Sequence, residues 1–362
     1  MKFAVVSDGY QAGRDGAADA LVKTCLAHGD ELAPANNGIN FALNLISADS
    51  PRHVRRNSQS VFVFSMMQEE QADPGLKARC YTALVRSLSN LLLCVVPGGS
   101  GGAPEIYFTT PEAGFYHLPF DPEAVYRRLC PIASSHFATA NRFSADLPER
   151  LWGGSAVTRD LARYGKELEM MGVLPVPFPL RDVLTEDALR QLYKIYGITG
   201  ASYGNLSARE SVPQLGPCTF WMTGRGVNKA DLRLVGRDVL LVKGFDHAAG
   251  AALIAQPPGA DARARVSVDA VEHELIYRTY PEVGAIVHAH AWIQGVPCTR
   301  QNYPCGTRDL AAEVAALLRT VPDPVRAAVG LKNHGLTITG RTLEDIFSRI
   351  RGSLLREVAM FD

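Results

Sequence analysis

Short apolar runs and longer amphipathic stretches alternate along the first part of the chain. "KFAVVS", "SVFVFSMM", "NLLLCVVPG", "PEIYFTT" and "GFYHLPF" are β-branched or aromatic runs that predict strands. "GAADALVKTCLAH", "PGLKARCYTALVRSLS" and "DPEAVYRRLC" space their apolar residues as helices do, and Asp121 and Pro122 open the last of them. This alternation predicts an N-terminal α/β domain over 1–150, with a parallel sheet. Residues 140–180 carry the boundary: "ADLPERLWGG" breaks the pattern, "VTRDLARYGKELEMMG" predicts a helix, and "VLPVPFPL" is a proline-punctuated connector. A second domain over 151–362 follows. Its predicted elements are a helix "LTEDALRQLYKIYG" capped by Thr185, strands "ASYGNLSAR", "CTFWMTGRGV" and "VLLVKGF", and a helix "VDAVEHELIYRTY". Strand "VGAIVHAH" comes next, then helix "TRDLAAEVAALLRT", strand "VRAAVGLKNHG" and a closing helix "TLEDIFSRIRGSLLREVAMF".

Composition narrows the class. A chain of 362 residues is longer than one hydrophobic core usually serves, in keeping with two domains. Hydrophobic residues make up 47% and charged residues 20%, as in ordinary globular proteins. Lys+Arg and Asp+Glu both number 37, and no basic stripe stands out, which argues against nucleic acid as a partner. The opening apolar run is too short for a signal peptide, and no stretch is apolar enough for a membrane span, so a cytoplasmic protein without a membrane partner is expected. Seven cysteines, an odd number without a Cys-x-x-Cys pair, argue against a disulfide framework or a cysteine zinc knuckle. Two glycine-rich turns, "SDGYQAGRDGAAD" and "PGGSGGAPE", lack the spacing or the following helix that a phosphate cradle needs.

The histidines add chemistry. Five of nine (247, 273, 288, 290 and 334) fall in the last third of the chain. In a strand successive side chains point to opposite faces, so His288 and His290 share one. Two neutral imidazoles at a strand exit are natural ligands for a divalent metal. His334, where the strand of "LKNHGLTITG" meets a glycine turn, is a candidate third ligand. Asp269 is followed three residues later by Glu272, the pattern of a capping box, and helix capping is its first reading from sequence physics.

Four segments, "YGITGASYGNLSAR", "MTGRGVNKADL", "SVDAVEHELIYRTYPEVGAIVHAH" and "LKNHGLTITGRTLEDIF", together resemble the class II aldolase/adducin superfamily, over about residues 185–350. That superfamily includes fuculose-phosphate-type aldolases and ribulose-phosphate 4-epimerases. The resemblance implies a class II aldolase-like α/β/α sandwich, with the N-terminal α/β domain outside it. It implies a divalent metal on His288, His290 and His334, zinc first, with Mn2+, Fe2+, Co2+ or Mg2+ as alternatives. The family's acidic residue falls on Asp269, where aldolases carry Glu as acid/base and epimerases carry Asp in the metal shell, so Asp269 is expected both as a fourth metal ligand and as the acid/base. Phosphate-binding members use a Gly-Asn pair, here Gly204 and Asn205. They also use a Ser/Thr-Gly pair, here Arg225 and Gly226, and a Ser-Ser pair, here reduced to Ser267 and Val268.

An arginine at 225 suits a carboxylate or phosphate by bidentate contact, so an acidic small-molecule substrate is expected. Tyr303 is a candidate catalytic phenol, and His273, on the helix, is expected to be structural. The resemblance further implies a homo-oligomer, a tetramer first. The expected activity is a metal-dependent carbon–carbon lyase working through an enediolate. An epimerase or decarboxylase on the same site is the alternative within enzymes, and a non-catalytic adducin-like interaction module is the alternative outside them.

Overall fold

The structure, a computed structural model, describes residues 1–7, 16–35, 38–54, 61–98, 102–111, 114–172, 185–187, 189–190, 203–261 and 263–361. The described residues divide into two compact units, one within Met1–Ser135, Val176–Tyr196 and Met360–Asp362 and one within His136–Pro175 and Gly197–Ala359. Most of the helix expected over 184–197 lies outside the described residues, as do the centres of both glycine-rich turns.

The first unit is an α/β fold on one seven-stranded sheet in the order β2-β1-β3-β4-β5-β6-β7. The strands are β1 (Lys2–Val6), β2 (Glu31–Leu32), β3 (Phe41–Leu45), β4 (Phe62–Gln68), β5 (Leu91–Val96), β6 (Glu105–Thr109) and β7 (Phe115–Pro119). The pairs from β2 to β5 are parallel, and β6 and β7 return antiparallel. Helices α1 (Gly16–Ala27), α2 (Leu76–Arg86) and α3 (Pro122–Ala133) accompany it. Asp121 caps α3 by accepting from the backbone N–H groups of Glu123 and Ala124, with Pro122 at the first helical position as the sequence predicts. Every residue of β5 is buried, which explains its continuous apolar run "LLLCVV".

The second unit is an eight-stranded sheet in the order β14-β15-β13-β9-β10-β11-β12-β8. Its strands are β8 (Ala140–Ser144), β9 (Asn205–Arg209), β10 (Phe220–Thr223), β11 (Val239–Asp246), β12 (Ala251–Ala255), β13 (Ala285–Ala289), β14 (Ala328–Leu331) and β15 (Gly335–Gly340). β8 precedes residue 150, yet it pairs parallel to β12 at the edge of this second sheet. Alternation along β13 sorts the layers. Ala285, Val287 and Ala289 enter a core with Leu161, Tyr164 and Leu168 of α4 (Ala156–Met170) and with Ile346 and Phe347 of α7 (Leu343–Ile350). Ile286 enters the opposite core, with Ile276 and Tyr277 of α5 (Ala270–Thr279) and Leu310, Val314 and Leu318 of α6 (Arg308–Leu318). The result is the α/β/α sandwich expected of a class II aldolase-like fold, with helices on both faces of the sheet.

Candidate metal centre

His288 lies on the Ile286 face of β13, beneath the N-terminal end of α5. Antiparallel register sets it between Asn205 of β9 and Thr337 of β15. All three are buried. The start of α5 then reaches down onto this row. Asp269 occupies the N-cap position of α5 but its side chain makes no capping hydrogen bond. Instead its Oδ2 accepts from Asn205 Nδ2 at 2.6 Å. Glu272, one turn on, accepts from Thr337 Oγ1 at 2.6 Å. The capping-box reading of this pair therefore fails: the i, i+3 spacing puts both carboxylates on one helix face, and that face meets a row of sheet donors. His273 is also buried. Its Nδ1 pairs with Ser207 Oγ at 2.7 Å, in keeping with a structural part.

His290 follows β13, and its ring centroid lies 5.2 Å from that of His288. His334 comes from the tight β14–β15 turn, where Asn333 adopts a left-handed backbone (φ 57) that asparagine tolerates. Gly335 lets that turn close on β13, because a Cβ there would stand 2.3 Å from the Ala289 carbonyl oxygen. Gly204 plays the matching part on the other side: its φ is +72, and a Cβ would stand 2.3 Å from the His288 carbonyl oxygen. The three imidazoles each offer a ring nitrogen, and these atoms lie within 4.8 Å of one another. His290 Nε2 and His334 Nε2 are 3.1 Å apart.

The donor set fits a divalent ion. Burial lowers the pKa of His334 to about 4, with the nearby Asp269 charge opposing the shift, and burial drives that of His290 well below the usual histidine range. Both rings are thus neutral at ordinary pH and carry a lone pair. Nδ1 of His288 lies 3.0 Å from the Leu336 carbonyl oxygen and donates to it, which in the neutral ring puts the lone pair on Nε2. Burial pulls the Asp269 pKa up, but His288, Cys305, His273 and His334 outweigh it, and its net shift is downward. Glu272 goes the other way, to about 8, through burial and the Asp269 charge.

The remaining predicted residues fall around this centre in different ways. Arg225 N–H donates to the Arg265 carbonyl at 2.7 Å, and Ser267 N–H to the Thr223 carbonyl at 3.2 Å, so Arg225, Gly226 and Ser267 share one edge. Burial lowers the Arg225 pKa while Asp269 raises it, so guanidinium and carboxylate feel each other. The Tyr303 ring packs against the apolar cluster beneath α5 and α6. Three neighbours escaped the sequence reading. Lys229 is buried, and its pKa falls to about 8 by burial against the pull of Glu169 and Asp269. Thr337 anchors Glu272. Cys305 places Sγ 3.3 Å from His334 Nε2, and joins Asp269 and His288 in a second donor group spanning at most 4.8 Å. Only the motif "NYPCG" could have pointed to it, by placing a cysteine before a glycine turn in the loop that follows the histidine pair.

Residues 186–294 match the family model of the Class II Aldolase and Adducin N-terminal domain. His334 lies beyond the matched stretch, and the N-terminal region has no such match. Among solved structures, L-fuculose 1-phosphate aldolase is similar at 18% identity over 55% of this chain and 81% of its own, with a TM-score of 0.37. YgbL from Escherichia coli, whose candidate activities are aldolase, epimerase and decarboxylase, is similar at 18% identity over 54% and 84%, with a TM-score of 0.34. An aldolase II superfamily protein from Pseudomonas syringae is similar at 14% identity over 57% and 72%, with a TM-score of 0.36. No curated protein sequence matches the chain. No helix among the described residues is long and apolar enough to cross a membrane.

Proposed function

We propose that the protein is a divalent-metal-dependent carbon–carbon lyase of the aldolase type, acting on a small, oxygenated, acidic or sugar-like substrate. The convergence of three imidazoles, those of His288 and His334 buried and that of His290 half-buried, beside the Asp269 carboxylate carries this reading. A bound ion, zinc first, would supply Lewis acidity to a pair of substrate oxygens and to the enediolate left when the bond breaks. His288, His290 and His334 would hold it. Asp269, steadied by Asn205, accepts the substrate hydroxyl proton as the carbon–carbon bond cleaves and returns it in the reverse direction. Arg225, with Gly226 and Ser267 beside it, holds the substrate's anionic group. Gly204 and Asn205 support the site through the positions of His288 and Asp269, by close backbone approach and by hydrogen bond.

Elemental analysis of the purified protein and of the double variant His288→Ala, His290→Ala tests this. The wild type should hold about one ion per chain, the double variant none, and only the wild type should cleave aldol substrates bearing a carboxylate or phosphate. A wild type that takes up no zinc, manganese or iron overturns the reading in favour of a binding module. Product analysis separates the related reactions: an epimerase keeps every carbon in one molecule, and a decarboxylase releases carbon dioxide.

A further inference from the structure

We propose that Cys305 is a fourth protein ligand of this centre, so that the ion is held by three imidazoles and one thiolate with Asp269 at its edge. The inference rests on the metal-site reading above and goes beyond its three histidines.

Sγ of Cys305 belongs to the site from two directions. It lies 3.3 Å from His334 Nε2 and 3.7 Å from His334 Nδ1, while the same Nε2 lies 3.1 Å from His290 Nε2. It also lies within 4.8 Å of donor atoms of both Asp269 and His288. Two nitrogens on one tetrahedral ion stand about 3.3 Å apart, and a nitrogen and a sulfur about 3.6 Å apart, given ordinary bond lengths. The contacts of 3.1 and 3.3 Å fall within a few tenths of an ångström of those values.

The loop is fixed in this arrangement. Gly306 has φ +75, and a Cβ there would meet Thr139 Cγ2 at 2.5 Å and Val268 Cβ at 2.9 Å, so the turn lies tightly against the residue preceding Asp269. The Gly306 carbonyl accepts from Ala138 N–H at 2.8 Å. Thr307 then caps α6 through Leu310 N–H. Cys305 is thus held between two anchored neighbours and the histidine cluster. Among the described residues no other cysteine joins a donor group.

Ligation replaces the S–H bond by a sulfur–metal bond, and the thiol proton leaves to water. No electron transfer is involved. A thiolate neutralises one charge of the ion and favours thiophilic ions such as zinc and cobalt over magnesium or manganese. It also fills a position that three histidines alone leave open, so a substrate oxygen must displace it or raise the coordination number.

Loading the protein with Co2+ and recording its absorption spectrum tests this, with Cys305→Ser and the double variant His288→Ala, His290→Ala in parallel. The expected wild type binds about one Co2+ and shows an intense near-ultraviolet sulfur-to-cobalt charge-transfer band. Cys305→Ser, folded by circular dichroism, should lose the band while still binding Co2+ at least about tenfold more weakly. Wild type that binds Co2+ without the band overturns thiolate ligation and leaves the three-histidine site standing. Retention of the band in Cys305→Ser overturns it too, since another sulfur would then be the ligand. Wild type that binds no Co2+ overturns this inference together with the metal-site reading beneath it.

Discussion

Asn44, Ser65, Ser87 and Ser89 in the first unit, and Asn205, Asp269, Glu272 and the three histidines in the second, are polar groups enclosed by apolar layers. In the first unit the groups are uncharged and answer one another. Asn44 and Ser65 are register partners on β3 and β4, and Asn44 Nδ2 donates to Ser65 Oγ at 2.9 Å. Ser65 Oγ and Ser87 Oγ then both meet Ser89 Oγ, and Ser87 ends the chain on the Ala83 carbonyl. Such a closed network rigidifies a core. In the second unit all of these groups but Asn205 are titratable, and burial moves their pKa values in opposite directions, His334 down to about 4 and Glu272 up to about 8. Buried groups with opposed shifts mark a site prepared for an ion or a proton. The difference teaches that burial of polarity is not itself a functional sign, whereas convergence of titratable donors on one point is.

Paired substitutions sharpen this contrast, and the largest effect is expected at Asp269. Asp269→Asn should keep the fold and lower cleavage by about 10²–10⁴-fold, the usual worth of a positioned acid/base. Ser89→Ala should do the reverse, costing about 1–3 kcal/mol of stability by leaving buried partners unpaired while metal content stays at the wild-type level. Steady-state kinetics, elemental analysis and denaturant unfolding read all three. An Asp269→Asn protein with full activity, or a Ser89→Ala protein that loses its metal, would break the comparison.

A second pair concerns glycine. Gly29 in the first unit and Gly204 in the second both have positive φ (+82 and +72), but nothing stands within 4 Å of a Cβ at Gly29, whereas the His288 carbonyl oxygen would be 2.3 Å away at Gly204. Gly29→Ala should cost only the backbone strain, about 1 kcal/mol. Gly204→Ala should cost at least about 2 kcal/mol more and weaken metal binding, because β13 must shift to admit the methyl group. Equal unfolding midpoints for the two variants would show that the close approach at Gly204 matters little.

The strand that carries His288 was legible because period-2 alternation is a local property: "GAIVHAH" alone tells that Ile286, His288 and His290 share a face. The Asp269–Glu272 pair was misread for the opposite reason. A capping box and a pair of carboxylates aimed at a sheet have the same spacing, and only the partner strands, with Asn205 and Thr337 in register on either side of His288, distinguish them. Cys305 was invisible because its relation to His334 is tertiary, across 29 residues of sequence. Strand β3 escaped because its apolar run is brief and follows a polar, glycine-containing stretch, and β8 because its side chains are half-exposed or exposed on an edge.

The smallest effect tests the comparison within the second unit itself. Asp238 is 3% exposed and charged, yet three donors surround it: backbone N–H groups of Arg233 and Leu234 reach Oδ2 at 2.9 Å, and Arg237 Nε reaches Oδ1 at 2.8 Å. Burial pushes its pKa up, and the hydrogen bonds from Arg237, Arg233 and Leu234 pull it down by more, leaving it below the ordinary aspartate value. The unfolded chain therefore takes up this proton first as acid is added. The stability it contributes is complete above the unfolded value, about 4, and is lost as pH falls through the lower folded value. Asp238→Asn should cost about 1–2 kcal/mol at neutral pH, and its stability should fall less steeply than the wild type between about pH 5 and pH 3. Metal content and cleavage should not change, since a charge whose donors are all supplied by its own loop behaves like the closed network of the first unit. Parallel acid-unfolding curves for the two proteins would show instead that Asp238 titrates alike in both states.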